Sequence, residues 1–469
     1  MAAPKIRTVS PSTNKIILER DETTLEQAKD IFRNSSRAFS SWRETPFGER
    51  KTIVTCALDL IQQRKEQLGE ELTLQMGRPI AYGVKEVETM QKRAIYLLSI
   101  VEDALQPLPG QPEAGFWRWI EKEKEPPSPT LIIFAWNFPY LVIVNSLVPA
   151  LLGGNSVVIK PSPQTPLVAD RLVEIFKQAG LPDDVLQAMH VGKPDAMRGI
   201  VRIPDIKFIT FTGSTQGGQA LCESTASRFL PVNLELGGNG SAYVRPDADL
   251  RYVAEELVDV AVFNAGQSCC AIERFYVHAD ISHSQLAEIQ KELAKYKLGD
   301  PTQHSTNVGS VISRAAQTNV NAHIQDALSK GAVNETPTNP TFSSPPADGN
   351  YVVPTILTNV NHNMIVMQET FGPVIPIMKV SSDEEAVKLM NDSDYGLTTS
   401  VWTKDVDTGE KLFKVLEAGT VFINRCDYPN HDLAWTGWRN SDMGFTLGPR
   451  AFDPFIKLKS YHIREKQHD

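Results

Sequence analysis

Apolar residues recur at helical spacing through the first hundred positions of the chain. Leu25, Ala28, Ile31 and Phe32 fall three and four residues apart, and Ile53, Ala57, Leu60 and Ile61 repeat the pattern. Positions 24 to about 100 are therefore read as packed helices, with a break around Trp42 and Phe47-Gly48-Glu49-Arg50. Arg64, Lys65 and Glu66 read as a solvated helix face. The period shortens at Phe116-Trp117-Arg118-Trp119-Ile120-Glu121, where aromatic and charged residues alternate as on a strand before Pro126-Pro127. The stretch 455–462 alternates in the same way. Such strands need partners for their edges. They either pair as an arm reaching another subunit or pack within their own chain.

From 131 to 235 short apolar runs alternate with amphipathic segments, which predicts a parallel α/β sheet. Leu131-Ile132-Ile133-Phe134 is one strand, and Ser156-Val157-Val158-Ile159-Lys160, stopped by Pro161, is a second. A helix is expected over 167–179, ending at Gly180. A third strand, 206–211, runs directly into Thr212-Gly213-Ser214-Thr215. Further on, a helix is expected over 284–296 and a proline-rich loop over 334–350. The strand 420–424 leads into an irregular segment with Tyr428, Trp435 and Trp438, where aromatic side chains commonly line pockets. No internal repeat or low-complexity tract is present.

Bulk properties narrow the function. A chain of 469 residues has room for two or three domains, and a formal charge of −9 provides no basic field for nucleic acid or an anionic membrane. No apolar run reaches the roughly 18 residues of a membrane span, and positions 1–15 lack a signal-peptide core. Five scattered cysteines do not form a disulfide framework, which points to a reducing, cytoplasmic setting. The nine histidines include no pair at metal-ligand spacing, so no catalytic metal is expected.

Candidate chemistry collects in three places. Phe263-Asn264-Ala265-Gly266-Gln267-Ser268-Cys269-Cys270 sets a glycine and two sulfurs at the end of an apolar segment. This is either a thiolate nucleophile with room for substrate or a pair of small buried side chains. Gly213-Ser214 at a strand–helix junction offers N–H groups and positive dipole to a phosphate, although Gly213-Ser214-Thr215-Gln216-Gly217-Gly218 departs from the usual dinucleotide fingerprint. Glu235, a lone acid before Gly237-Gly238, is either a general base with a raised pKa or a solvent-facing strand end.

Taken together, Ala135-Trp136-Asn137-Phe138-Pro139, Lys160-Pro161-Ser162, Phe211-Thr212-Gly213-Ser214-Thr215, Glu235-Leu236-Gly237-Gly238, Gly266-Gln267-Ser268-Cys269 and Glu369-Thr370-Phe371-Gly372-Pro373 resemble the aldehyde dehydrogenase superfamily in order and spacing. The resemblance implies an aldehyde dehydrogenase-like α/β fold. Its Rossmann-like NAD(P)-binding domain would span 1–110 and 131–235, its α/β catalytic domain 236–440, and a small β oligomerisation arm 111–130 and 441–469. It implies oxidation of an aldehyde to the carboxylic acid with NAD or NADP, in a homodimer or homotetramer that binds neither nucleic acid nor membrane. Cys269 would attack the aldehyde, Asn137 and the Cys269 N–H would hold the developing oxyanion, and Glu235 would activate water against the thioester. Ile133, Trp136, Lys160, Ser162, Gly213, Ser214, Glu369 and Phe371 would contact the cofactor. Phe138, Asn145, Ser268, Asp427 and Trp435 would line the substrate pocket. The lysine is followed three residues later by Pro163, where many NAD-preferring members carry glutamate, so both cofactors are expected to serve. Rival readings are a CoA-acylating or semialdehyde-specific relative and a non-enzymatic binding or structural member. Arg425 and Arg439 read as ordinary loop arginines, with a substrate carboxylate as their alternative partner.

Overall fold

The computed structural model describes residues 4–123, 127–426 and 428–464. Four helices follow an N-terminal hairpin: Leu25–Trp42, Phe47–Gln63, Lys65–Met76 and Ile80–Ala104. The first begins with a capping box, in which Thr24 Oγ1 accepts from Gln27 N and Thr24 N donates to Gln27 Oε1 (3.3 and 2.9 Å). The third ends at Gly77, whose φ of 75° lies in the left-handed region. A glycine crossing brings the last two helices together, since a Cβ on Gly83 would come within 2.6 Å of the Gly69 carbonyl oxygen. Their apolar stripes share a buried core with the helix Pro139–Leu152 and one face of the first sheet.

That sheet has six strands in the spatial order Asp442–Met443, Val232–Glu235, Phe208–Thr212, Thr130–Phe134, Val157–Pro161, Leu186–Ala188. All neighbours are parallel except the two-residue edge strand. From Thr130–Phe134 the chain moves outward to 186–188 and then returns to the other side with Phe208–Thr212. The strand order therefore reverses between Thr130–Phe134 and Phe208–Thr212, and the carboxyl ends of such a reversal open a crevice. A second, seven-stranded sheet runs Val333–Asn334, Thr355–Thr358, Val374–Val380, Ile272–His278, Gly240–Val244, Thr398–Trp402, Thr420–Ile423, with its own core.

Phe116–Glu123 and Lys457–Arg464 pair antiparallel along their whole lengths, with Trp119 stacked on Tyr461 at 4.7 Å. Leu108–Pro109 adds a third strand. The tail departs from the expected boundary at 441. Asp442–Met443 joins the six-stranded sheet beside Glu235, while Ala451, Phe452 and Phe455 are buried in the core of the N-terminal helices. Only the residues from Lys457 onward enter the arm, because the aromatic side chains before it are worth more buried than displayed. Among the described residues no helix is long and apolar enough to cross a membrane.

Candidate active site

The reversal of the first sheet aligns the predicted cofactor residues. Ile133 lies opposite Lys160 in register, and Ser162 N donates to the Phe134 carbonyl (3.1 Å). Lys160 is buried, and its side chain has no hydrogen bond or ion pair among the described residues. Burial pushes its pKa down to about 8. An ammonium without an acceptor at the carboxyl end of a parallel sheet suits a ribose hydroxyl or a phosphate. Across the reversal, Ser214 caps the helix Thr215–Thr225 by accepting from Gly217 N (3.1 Å). A Cβ on Gly213 or Gly217 would come within 2.7 or 2.8 Å of the Phe211 ring, so the glycines let the backbone fold over that ring and keep the helix start open. These features fit a dinucleotide.

The segment before Cys269 is a strained turn. Asn264, Ala265 and Gly266 have φ of 53°, 57° and 72°, three left-handed residues in succession. Polar side chains hold it in place. The fully buried Gln267 donates to the Asn264 carbonyl (2.9 Å) and accepts from Ile312 N (2.7 Å). Asn264 Nδ2 donates to the carbonyls of Asn137 and Gln267 (both 3.2 Å), and Asn137 Nδ2 also donates to the Gln267 carbonyl (3.3 Å). That use leaves the second Asn137 amide hydrogen available. A Cβ on Gly266 would stand 2.2 Å from the Gly372 carbonyl oxygen, so this glycine lets the Glu369–Pro373 loop close against the turn. Gly237 and Gly238 serve a similar purpose, with a Cβ falling 2.5 Å from a Glu369 carboxylate oxygen and 2.1 Å from the Cys269 carbonyl oxygen. Cys269 is partly exposed, whereas Cys270 is buried against Leu397, Trp435 and Leu447.

Three acids surround this turn. Glu235 is buried and accepts from the hydroxyls of Thr446 and, at 3.3 Å, Thr212. Burial raises its pKa, and the Thr446 bond, the charge of Arg93 and the Thr212 bond oppose the rise. Glu369 accepts from Gly238 N (3.0 Å) and the Tyr395 hydroxyl (3.3 Å). Glu273, buried and pushed up to about 8 chiefly by burial, receives Thr370 N and Phe371 N (2.5 and 2.9 Å). It thereby fixes the loop that carries Glu369 and sets the Phe371 ring edge-on to Trp136 at 5.9 Å.

One cavity of about 600 Å³ brings most of the predicted residues together. Asn137, Glu235 and Cys269 line it, as do Trp136, Gly213, Ser214, Glu369 and Phe371 from the cofactor set and Phe138, Asn145, Ser268 and Trp435 from the substrate set. Ile133, Lys160 and Ser162 lie outside its lining, along the strand ends. Asp427 lies outside the described residues.

Sequence reasoning missed part of the wall. Arg78, Glu86 and Arg93 are buried and line the cavity, the latter two from the helix Ile80–Ala104. Arg78 forms an ion pair with Glu86, donates to the Asn137 carbonyl and lies over the Phe138 ring at 4.4 Å. The available signal was a polar residue on an apolar stripe: Glu86 and Arg93 share the spacing of Val87, Met90, Ala94 and Leu97. Neither Arg425 nor Arg439 lines the cavity: Arg425 lies over the ring of the lining residue Tyr428 (3.9 Å), and Arg439 bonds Glu417 and the Asn391 carbonyl.

Comparison with known proteins matches residues 1–461 to the model of the aldehyde dehydrogenase family. The chain is 28% identical over 457 residues to a 3,6-anhydro-alpha-L-galactose dehydrogenase of Streptomyces coelicolor, covering 97% of this chain and 92% of that protein. Its fold is similar to an NAD-dependent aldehyde dehydrogenase from Sinorhizobium meliloti, with a TM-score of 0.93, 27% identity and coverage of 100% and 94% of the two chains. It is also similar to an NADP-dependent glyceraldehyde-3-phosphate dehydrogenase from Bacillus halodurans complexed with NADP, with a TM-score of 0.92, 28% identity and coverage of 99% and 96%.

Proposed function

The chain belongs to the aldehyde dehydrogenase family, and from that premise we propose that Cys269 is its nucleophile, Asn137 its oxyanion donor and Glu235 its general base in NAD(P)-dependent oxidation of an aldehyde to a carboxylic acid. The observation that carries this reading is the convergence of those three side chains on one cavity, with Cys269 partly exposed and Cys270 packed away. When bound, the nicotinamide supplies the hydride acceptor. Trp136, Glu369 and Phe371 would hold that end of the cofactor, and Lys160 and Ser214 the ribose and phosphate end.

The protein's own groups perform the rest. Cys269 Sγ attacks the aldehyde carbon. Negative charge gathering on the oxygen meets the spare Asn137 amide hydrogen and the Cys269 N–H, donors already fixed by the Asn264–Gln267 turn. One such preorganised donor lowers a barrier by about 3–4 kcal/mol. Glu235 takes a proton from water as the water oxygen adds to the acyl carbon on Cys269, and the carbon–sulfur bond then breaks to release the acid and restore the thiolate. Its presence favours release by water over transfer to CoA.

The experiment combines steady-state turnover of short aldehydes, with NAD and with NADP, and rapid mixing. Cys269→Ala should abolish turnover while Cys270→Ala keeps much of it. Glu235→Gln should give a burst of reduced nicotinamide near one per site followed by slow release. Undiminished steady-state turnover in Glu235→Gln would remove that residue from the mechanism. We also assign the arm to self-association as a homodimer or homotetramer, and the small number of cysteines, five in 469 residues, supports a reducing, cytoplasmic setting.

A further inference from the structure

We infer that the substrate is an aldehyde carrying a carboxylate and that Arg93 receives that carboxylate, an inference that rests on the reading of Cys269 as nucleophile.

Arg93 is 7% exposed and forms part of the cavity wall. Its Nη1 donates to the Leu141 carbonyl (2.9 Å) and to Asn145 Oδ1 (3.3 Å), which fixes the guanidinium plane. Its Nε is buried without a partner. Nη2 also makes no hydrogen bond among the described residues, and a guanidinium with unmade N–H bonds in a cavity wall is stabilised by an acceptor that reaches it. The lining carboxylates are committed elsewhere. Glu86 pairs with Arg78 and receives Tyr140 N, Glu235 receives two hydroxyls, and Glu369 receives Gly238 N and Tyr395. Among the described residues no carboxylate forms an ion pair with Arg93, whereas its neighbour Arg78 has one.

The surroundings match an anion of single charge. The guanidinium bonds Asn145 and shares the cavity wall with Glu235, Cys269 and Tyr428, which its charge reaches. On the same helix Lys85 and Lys92 are exposed and also line the cavity, seven residues apart on one face with Thr89 between them. Two ammonium groups at an entrance raise the local concentration of anionic substrates. A dianionic phosphate calls for a second buried cation beside Arg93, and Arg78 is already neutralised. A carboxylate, singly charged and planar, suits one guanidinium edge.

The test measures kcat/KM for 4-oxobutanoate and 5-oxopentanoate against their methyl esters and against butanal and pentanal, with saturating cofactor. The wild type should favour the acids by about 10- to 100-fold, the effect of one charge-assisted hydrogen bond. Arg93→Gln should bring acids and esters within a few-fold of one another, whatever its effect on butanal, and Arg93→Lys should retain part of the preference. If Arg93→Gln does not fold, inhibition of butanal oxidation in the wild type decides: glutarate should compete with the aldehyde and glutaramide should not. Equal rates on acids and esters in the wild type, a preference that survives Arg93→Gln, or equal inhibition by the amide overturns the inference. A clear preference for glyceraldehyde 3-phosphate over both oxo-acids overturns the choice of carboxylate. Failure to oxidise any aldehyde would instead overturn the proposed function.

Discussion

Glu235 shows how single residues set the chemistry, because a buried carboxylate that must act as a base is pulled in two directions. Burial favours its neutral form, and the Thr446 hydroxyl, the Arg93 charge and the Thr212 hydroxyl favour the anion. Thr446→Val keeps the shape and removes the first of these opposing influences. The Glu235 pKa should then rise, since a donor to the charged form is lost, and less of the residue is ionised at neutral pH. Single-turnover thioester hydrolysis should be several-fold slower at pH 7 and recover as pH increases, with the burst unchanged. A uniform loss at every pH would place Thr446 in packing rather than in tuning the base. Glu235 and Cys269 stand out in the sequence by their setting, each with two readings open, and Asn137 enters only through the family resemblance; the structure places all three on one cavity. Thr446 does not stand out, since a threonine two residues after Gly444 has no distinguishing period, and its contact with Glu235 spans 211 positions.

Elements were legible to the extent that their period was local. The N-terminal helices, the strands around 131–211 and the two aromatic arm strands carry a repeating pattern, and each appears at nearly the expected residues. The strand Asp442–Met443 is too short to show a period, and only its pairing with Leu234–Glu235 defines it. The nucleophile turn lies between these cases. Its glycine marked a special backbone, but the left-handed conformations of Asn264 and Ala265 depend on hydrogen bonds from outside the segment. Gln267→Ala isolates that dependence by deleting the side-chain bonds to Asn264 and Ile312; the Asn264 carbonyl keeps the Gln267 backbone N–H, and Ile312 N is left without a partner. The variant should be about 1–3 kcal/mol less stable to urea. Relaxation of the turn should also slow acylation, seen as a slower burst with Glu235-dependent hydrolysis little changed. Wild-type burst kinetics alongside reduced stability would show that the turn holds its shape without Gln267.

At the scale of the whole molecule, the cavity lies between two sheets that each have their own core, and the arm stands apart from both. A three-stranded sheet needs a covered hydrophobic face to be stable by itself, and this one displays apolar side chains. Trp117 and Ile463 lie directly opposite each other in register, so they share a face, and they are 62% and 50% exposed. Adjacent on that face is the stacked pair Trp119 and Tyr461. An aromatic ladder of this kind gains most when a second molecule covers it, by roughly 25 cal/mol for each Å² of apolar surface removed from water. A face of this composition also repels a like-charged copy if acids are installed on it. The double variant Trp117→Glu, Ile463→Glu should therefore lower the mass measured by light scattering, from a dimer to a monomer or from a tetramer to a smaller assembly. The nicotinamide burst per subunit should persist, because neither side chain lines the cavity. An unchanged mass would move the interface away from this face, and a wild type that is already monomeric would remove the arm's role in association.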